Sequence, residues 1–136
     1  MTDPGTPPIE GIVHRPSPLS VAATVERLTE AIAGAGATLF AVIDHSGEAE
    51  RAGLSLRDTK LLIFGNPRAG TPLMQAATTA ALDLPLKVLV WAADDGQVWM
   101  TFLDPAWLAA RHHLDGDLAK PLSAPDALTA RIAGSA

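Results

Sequence analysis

The chain has 136 residues, about the size of one domain, and at that length roughly two thirds of the unfolded surface is buried on folding. Hydrophobic residues make up 48% and charged residues 18%, a globular composition that excludes disorder over most of the length. The net charge of −5 argues against a phosphate-backbone binder, and the absence of cysteine excludes disulfides, thiolate metal sites and thiol catalysis. The opening MTDPGTPP has neither the basic nor the apolar region of a signal peptide. The longest apolar run is broken by Asp83, Pro85 and Lys87 before it reaches membrane length. These readings predict a soluble, cytoplasmic protein with no membrane or nucleic-acid partner.

Residues 1–8, rich in proline and glycine, are expected to be disordered. Ile9 to Arg15 reads as a strand ended by Pro16 and Pro18. Ser20 is a good N-cap, and Val21, Val25, Leu28 and Ile32 then form the stripe of an amphipathic helix, ended by Gly34 and Gly36. Thr38 to His45 is the next strand. Strict alternation places Leu39, Ala41, Ile43 and His45 on one face, with Phe40, Val42 and Asp44 on the other. Residues 46–56 are small and polar, with a helical turn expected at Glu48 to Ala52.

Leu61 to Phe64 reads as a buried strand, followed by the loop Gly65-Asn66-Pro67-Arg68-Ala69-Gly70. Thr71-Pro72 carries the signal of an N-cap with proline at the first helical position, predicting a helix to about Leu82. On that reading Thr71 caps the helix and Gly70 takes a positive φ. Leu86 to Trp91 is a strand, Asp94-Asp95-Gly96 a hairpin turn and Gln97 to Leu103 the returning strand, with Trp91 and Trp99 able to pair across it. Asp104-Pro105 repeats the cap-then-proline signal before a helix through His112. The expected organisation is a single α+β domain over 9–114 and an Ala/Pro-rich tail over 115–136 with a possible short helix ending at Ile132. The sheet is predicted to be antiparallel-dominated, with helices packed on one face.

Several ordered pieces of this chain, TVERL, IDH, FGNP, GTPLMQAA, ALDLPLKVLVW and FLDPAWLA, together resemble the domain-of-unknown-function 302 family over roughly residues 9–114. The resemblance implies a fold like that of the TATA-box-binding protein and a homodimer. It implies no reaction.

The spacing Gly65-x4-Gly70-Thr71, between a strand and a helix, is the context of a phosphate-binding loop. The required lysine is replaced by Thr71 and the next residue is Pro72, so an ATPase is excluded. What remains is a helix start that can hold an anion beside Arg68, or a tight connection shaped by two glycines. His45 is either a satisfied histidine at a strand end or a general base or metal ligand. Asp44 and His45, being strand neighbours, point apart and cannot form one dyad. His112 and His113 diverge around a helix and suit its C-terminal dipole better than a metal. His14 has no partner at metal spacing.

The candidate ligand-binding residues are therefore His45, Asn66, Arg68 and Thr71. If the fifteen or so residues between the two strands form a crossover, the strands run parallel and His45, Asn66 and Arg68 converge at one sheet edge. If the connection is antiparallel, they lie at opposite edges, unless dimerisation brings one subunit's His45 to the other's loop. Two functions stand side by side: a homodimeric binding module for a small ligand, anion or metal ion, and a small enzyme using His45 as general base with the Gly65–Thr71 loop as an anion hole. A purely structural assembly module would have no pocket. No pattern names a cofactor, a metal or a catalytic residue.

Overall fold

The computed structural model describes residues 4–134. Met1 to Asp3, within the segment expected to be disordered, and Ser135 and Ala136 lie outside the described residues. Strands β1 (Ile12–Ser17), β2 (Thr38–Asp44), β3 (Thr59–Gly65), β4 (Leu86–Ala92) and β5 (Val98–Leu103) form one sheet in the order β1-β5-β4-β3-β2. Every pairing is antiparallel. Helices α1 (Val21–Gly34) and α5 (Ala124–Ala133) cover one face. The α+β class with an antiparallel sheet follows.

The core is built by alternation. Leu62 and Phe64 on β3, Val88 and Val90 on β4, and Val98, Met100 and Phe102 on β5 meet Val21, Leu28 and Ile32 of α1 and Leu128 and Ile132 of α5. Helix α1 starts where Ser20 Oγ accepts the Ala23 N–H, and its buried stripe is the one its spacing predicts. The segment expected to be a tail is a 3-10 stretch, Gly116–Ser123, followed by α5. Arg15 ties α5 to β1 through Asp126 Oδ1 at 2.9 Å and Thr129 Oγ1 at 2.8 Å.

A second cluster, around Leu73, Leu108, Leu114 and Leu122, packs α3 (Pro67–Ala76) and α4 (Pro105–Arg111) against Leu86 and Leu103. The opposite sheet face carries Ile12, Ile43, Leu61, Ile63, Leu89 and Trp91, which belong to neither cluster. Trp91 and Trp99 are direct cross-strand partners, as their position around the turn predicts, but Trp99 is fully buried.

Three local expectations are corrected. The strand β2 contains a bulge between Leu39 and Ala41, so Leu39 pairs with Phe64 and Val42 with Leu62 on the helix side. Strict alternation therefore fails, and Phe40 is turned out at the bulge, 53% exposed. His45 is not on the strand: it is the first residue of α2 (His45–Arg51), whose N-cap is Asp44. The third correction concerns α3, which begins four residues before Thr71. Asn66 Oδ1 accepts the Arg68 N–H at 3.0 Å and Pro67 takes the first helical position. Thr71 and Gly70 are helix-interior residues, and Gly70 is not among the positive-φ glycines. Pro72, inside the helix, cannot donate there, and α3 gives way at Ala77 to a 3-10 turn, Thr78–Leu82.

Candidate functional site

The antiparallel pairing of β2 with β3 decides the geometry of the predicted cluster. Thr38 faces Gly65 and Asp44 faces Lys60, so His45 and Asn66 stand at opposite ends of the hairpin, about 20 Å apart along the strands. The residues between β2 and β3 make α2 and a return loop, not a crossover. Within one chain His45, Asn66 and Arg68 do not converge.

Asn66 and Thr71 do line one groove. A groove of about 510 Å³ lies at the Gly65 end of the sheet, between α3 and α5. Its walls are apolar: Phe40, Phe64, Leu73, Met74, Leu84 and Leu128, among others. The polar groups reaching it are Asn66, Thr71 and Arg131. The bulge in β2 contributes directly, because it turns Phe40 across Gly65. A Cβ on Gly65 would stand 3.2 Å from the Phe40 ring. Gly70 faces the same space, where an added Cβ would meet only Leu84 and Met74 at 3.9 Å. Arg68 is exposed and does not line the groove. Asn66 spends its side-chain oxygen on capping α3, which leaves its amide for a ligand.

At the opposite pole His45 is exposed and its neighbours form a polar cluster without it. Asp44 Oδ1 accepts from Gly47 N–H at 2.9 Å, Lys60 Nζ at 2.9 Å and Ser46 Oγ at 3.0 Å. These bonds, the Gly47 N–H foremost, hold the Asp44 carboxyl down at about 2. The Asp44 and Asp58 carboxylates in turn raise Lys60. A depressed carboxyl stabilises the fold above its ordinary value of 3.8, and that contribution is lost as pH falls towards 2. Urea midpoints for the native chain should therefore drop between about pH 4 and pH 2, and Asp44→Asn, which retains the cap, should flatten that drop.

A third cluster escaped the sequence reading. His112 caps α4 and is buried, with Nε2 at 2.5 Å from Asp83 Oδ2 and Nδ1 at 2.9 Å from Thr79 Oγ1. Arg111 Nε donates to the same carboxylate oxygen at 3.0 Å. Burial pushes the Asp83 carboxyl up, but the His112 bond and the Arg111 charge outweigh it and hold it below the usual range. His112 is thus set by tertiary partners, while His113, beside it, is exposed. Among the described residues no group of three or more His, Cys, Asp or Glu side chains is placed to hold a metal.

A two-layer α+β domain, helices on one face of an antiparallel sheet and an apolar groove at its end, is the class these features define. The chain belongs to the family described as domain of unknown function DUF302, whose model matches residues 13–130. A solved structure, the uncharacterised conserved protein DUF302 from Bacillus stearothermophilus, superposes with a TM-score of 0.76 over 92% of this chain and 97% of that one. At 17% identity this likeness concerns the fold. Among curated proteins the chain is 44% identical over 125 residues to a fluoride-specific ion channel, FluC 1, of Brucella suis, covering 92% of this chain and 47% of that protein. It matches FluC 1 of Brucella abortus at the same identity, over 44% of its length. The chain spans about half the length of these relatives. No helix among the described residues is long and apolar enough to cross a membrane.

Proposed function

We propose that this domain is a binding module whose ligand is a small apolar or amphipathic molecule held in the groove between α3 and α5. One observation carries the reading: a cavity of about 510 Å³, inside the usual range for ligand sites, walled by apolar side chains with a few polar groups at its margin. The enzyme alternative is poorly supported, since its proposed base, His45, sits at the far end of the β2–β3 hairpin from the groove. Anilinonaphthalene sulfonate fluorescence, with decanoate as competitor, tests the groove. Gly70→Leu places a side chain into the cavity from a helical backbone position and should weaken probe binding by about tenfold or more while the fold is retained. Unchanged binding in a folded Gly70→Leu variant would dismiss the groove.

The same proposal makes the domain a cytoplasmic homodimer. Its support is the sheet face opposite α1 and α5. Ile43 on that face is 37% exposed. Light scattering at tens of micromolar should give twice the chain mass, and Ile63→Glu should return it to the monomer mass.

A second reading is favoured by the Brucella proteins. Their matched portion accounts for about half their length, and the matched region in this chain contains no membrane-crossing helix among the described residues. On this reading the domain is a companion to a fluoride channel. Fluoride efflux by the Brucella suis protein in vesicles should then respond to Gly70→Leu placed at the equivalent position of its own groove.

A further inference from the structure

The sheet is not paired along its whole length. Strand β4 pairs with β3 along its length, from Leu86 to Trp91, yet its ladder with β5 holds only from Leu89–Thr101 to Ala92–Val98. Strand β5 meanwhile stays with β1 as far as Leu103. The two central strands therefore part company at the Leu86 end. A cavity of about 250 Å³ occupies the parting, with Lys87 and Leu89 on one side and Thr101 and Leu103 on the other. It adjoins the groove, since Leu86 and Leu122 wall both, and lies below the range of about 300–1,000 Å³ typical of drug-sized ligands, so it suits a short molecule.

Its polar end has a definite charge. Asp83 and Lys87 line the cavity, and Arg111 is bound to Asp83. Arg111 and Lys87 against Asp83 give +2 − 1 = +1, in a chain whose net charge is −5. Lys87 Nζ donates to the carbonyls of Pro85 at 2.7 Å and Asp83 at 3.3 Å, which leaves one of an ammonium's three donors. The apolar remainder of the wall comes from Leu61, Leu89, Leu103 and Leu108.

We propose that the parting of β4 and β5 is a second binding site, for a small organic monocarboxylate whose anionic end meets Lys87 and whose short apolar body enters among these leucines. Burial pushes the Lys87 ammonium below its ordinary value, partly offset by Asp83, and an arriving carboxylate supplies the counter-charge that the apolar wall withholds. Thr101 connects the site to a built-in reporter, since its Oγ1 accepts from Trp91 Nε1 at 2.8 Å. This site does not depend on the groove reading.

Butyrate titration, followed by tryptophan fluorescence and calorimetry, tests it. Saturable binding in the millimolar range is expected, weaker by about tenfold or more for butyramide, the uncharged analogue, and for Lys87→Gln. The butyramide comparison uses the native chain and so stands even if Lys87→Gln fails to fold. Gly70→Leu should leave butyrate affinity unchanged. No saturation by butyrate, equal affinity for butyramide, a folded Lys87→Gln that binds normally, or loss of butyrate binding in a folded Gly70→Leu would each overturn the assignment.

Discussion

A chain ending at Asp115 should show no cooperative unfolding transition. The residues removed include Leu122, Leu128 and Ile132, exposed by only 2%, 5% and 4%, which complete both apolar clusters. Truncating a single buried Leu or Ile costs about 2–5 kcal/mol, and a whole domain holds only about 5–15 kcal/mol. Losing three, about 6–15 kcal/mol, together with the backbone that carries them removes a stabilisation as large as that margin. The loss also strands Arg15, whose guanidinium bonds to the Asp126 carbonyl at 2.7 Å as well as to its carboxylate. Far-ultraviolet circular dichroism during heating reads the outcome, and a sharp melt near that of the full chain would contradict it.

Gly11→Ala should be among the most damaging single substitutions. Gly11 has φ +83°, where a Cβ costs about 1–2 kcal/mol. The added carbon would also stand 2.7 Å from Cε2 and 2.8 Å from Cγ of Trp107, forcing the indole on α4 to move. Overpacking of this kind adds about 1–3 kcal/mol, so a total near 2–5 kcal/mol is expected. The Gly11 carbonyl meanwhile accepts the Asp104 N–H at 2.8 Å, which fixes the start of α4 to the entry of β1. A double-mutant cycle separates the two contributions. In a Trp107→Ala background the clash disappears and only the backbone cost of Gly11→Ala remains. Equal costs in both backgrounds would show that the indole is not the obstacle.

The regular elements were legible because their signals are local. The Val21–Ile32 stripe and the Asp94–Gly96 turn specify α1 and the β4–β5 hairpin with little help from distant residues. Two signals of equal local quality competed for the start of α3, Asn66-Pro67 and Thr71-Pro72, and nothing within reach of either ranks them. The bulge in β2 is invisible to alternation, which assumes that every residue advances the face by one. Asn66 and Thr71 line one groove because both belong to the start of α3, whereas within one chain His45 joins them only on a parallel crossover. A connection of fifteen residues suits either topology. The Asp83–His112–Thr79 cluster joins residues 29 and 33 positions apart, a relation that only packed α4 creates. The short helix ending near Ile132 is legible in the sequence, but the weak alanine-rich pattern of α5 does not reveal that its Leu128 and Ile132 enter the core.

The position of β1 has a consequence for how the chain is made. This strand sits at the edge of the sheet and its neighbour is β5; His14 meets Thr101 across 87 positions of sequence. During synthesis β1 emerges first and waits without a partner while β2, β3 and β4 pair with one another. The helix that seals β1 from the other side, α5, emerges last. Closure therefore brings the two ends of the domain together in one late step, with the loop entropy of nearly the whole domain to overcome. The domain cannot finish folding until α5 is available, and until then the β1 edge is a template for pairing with other chains.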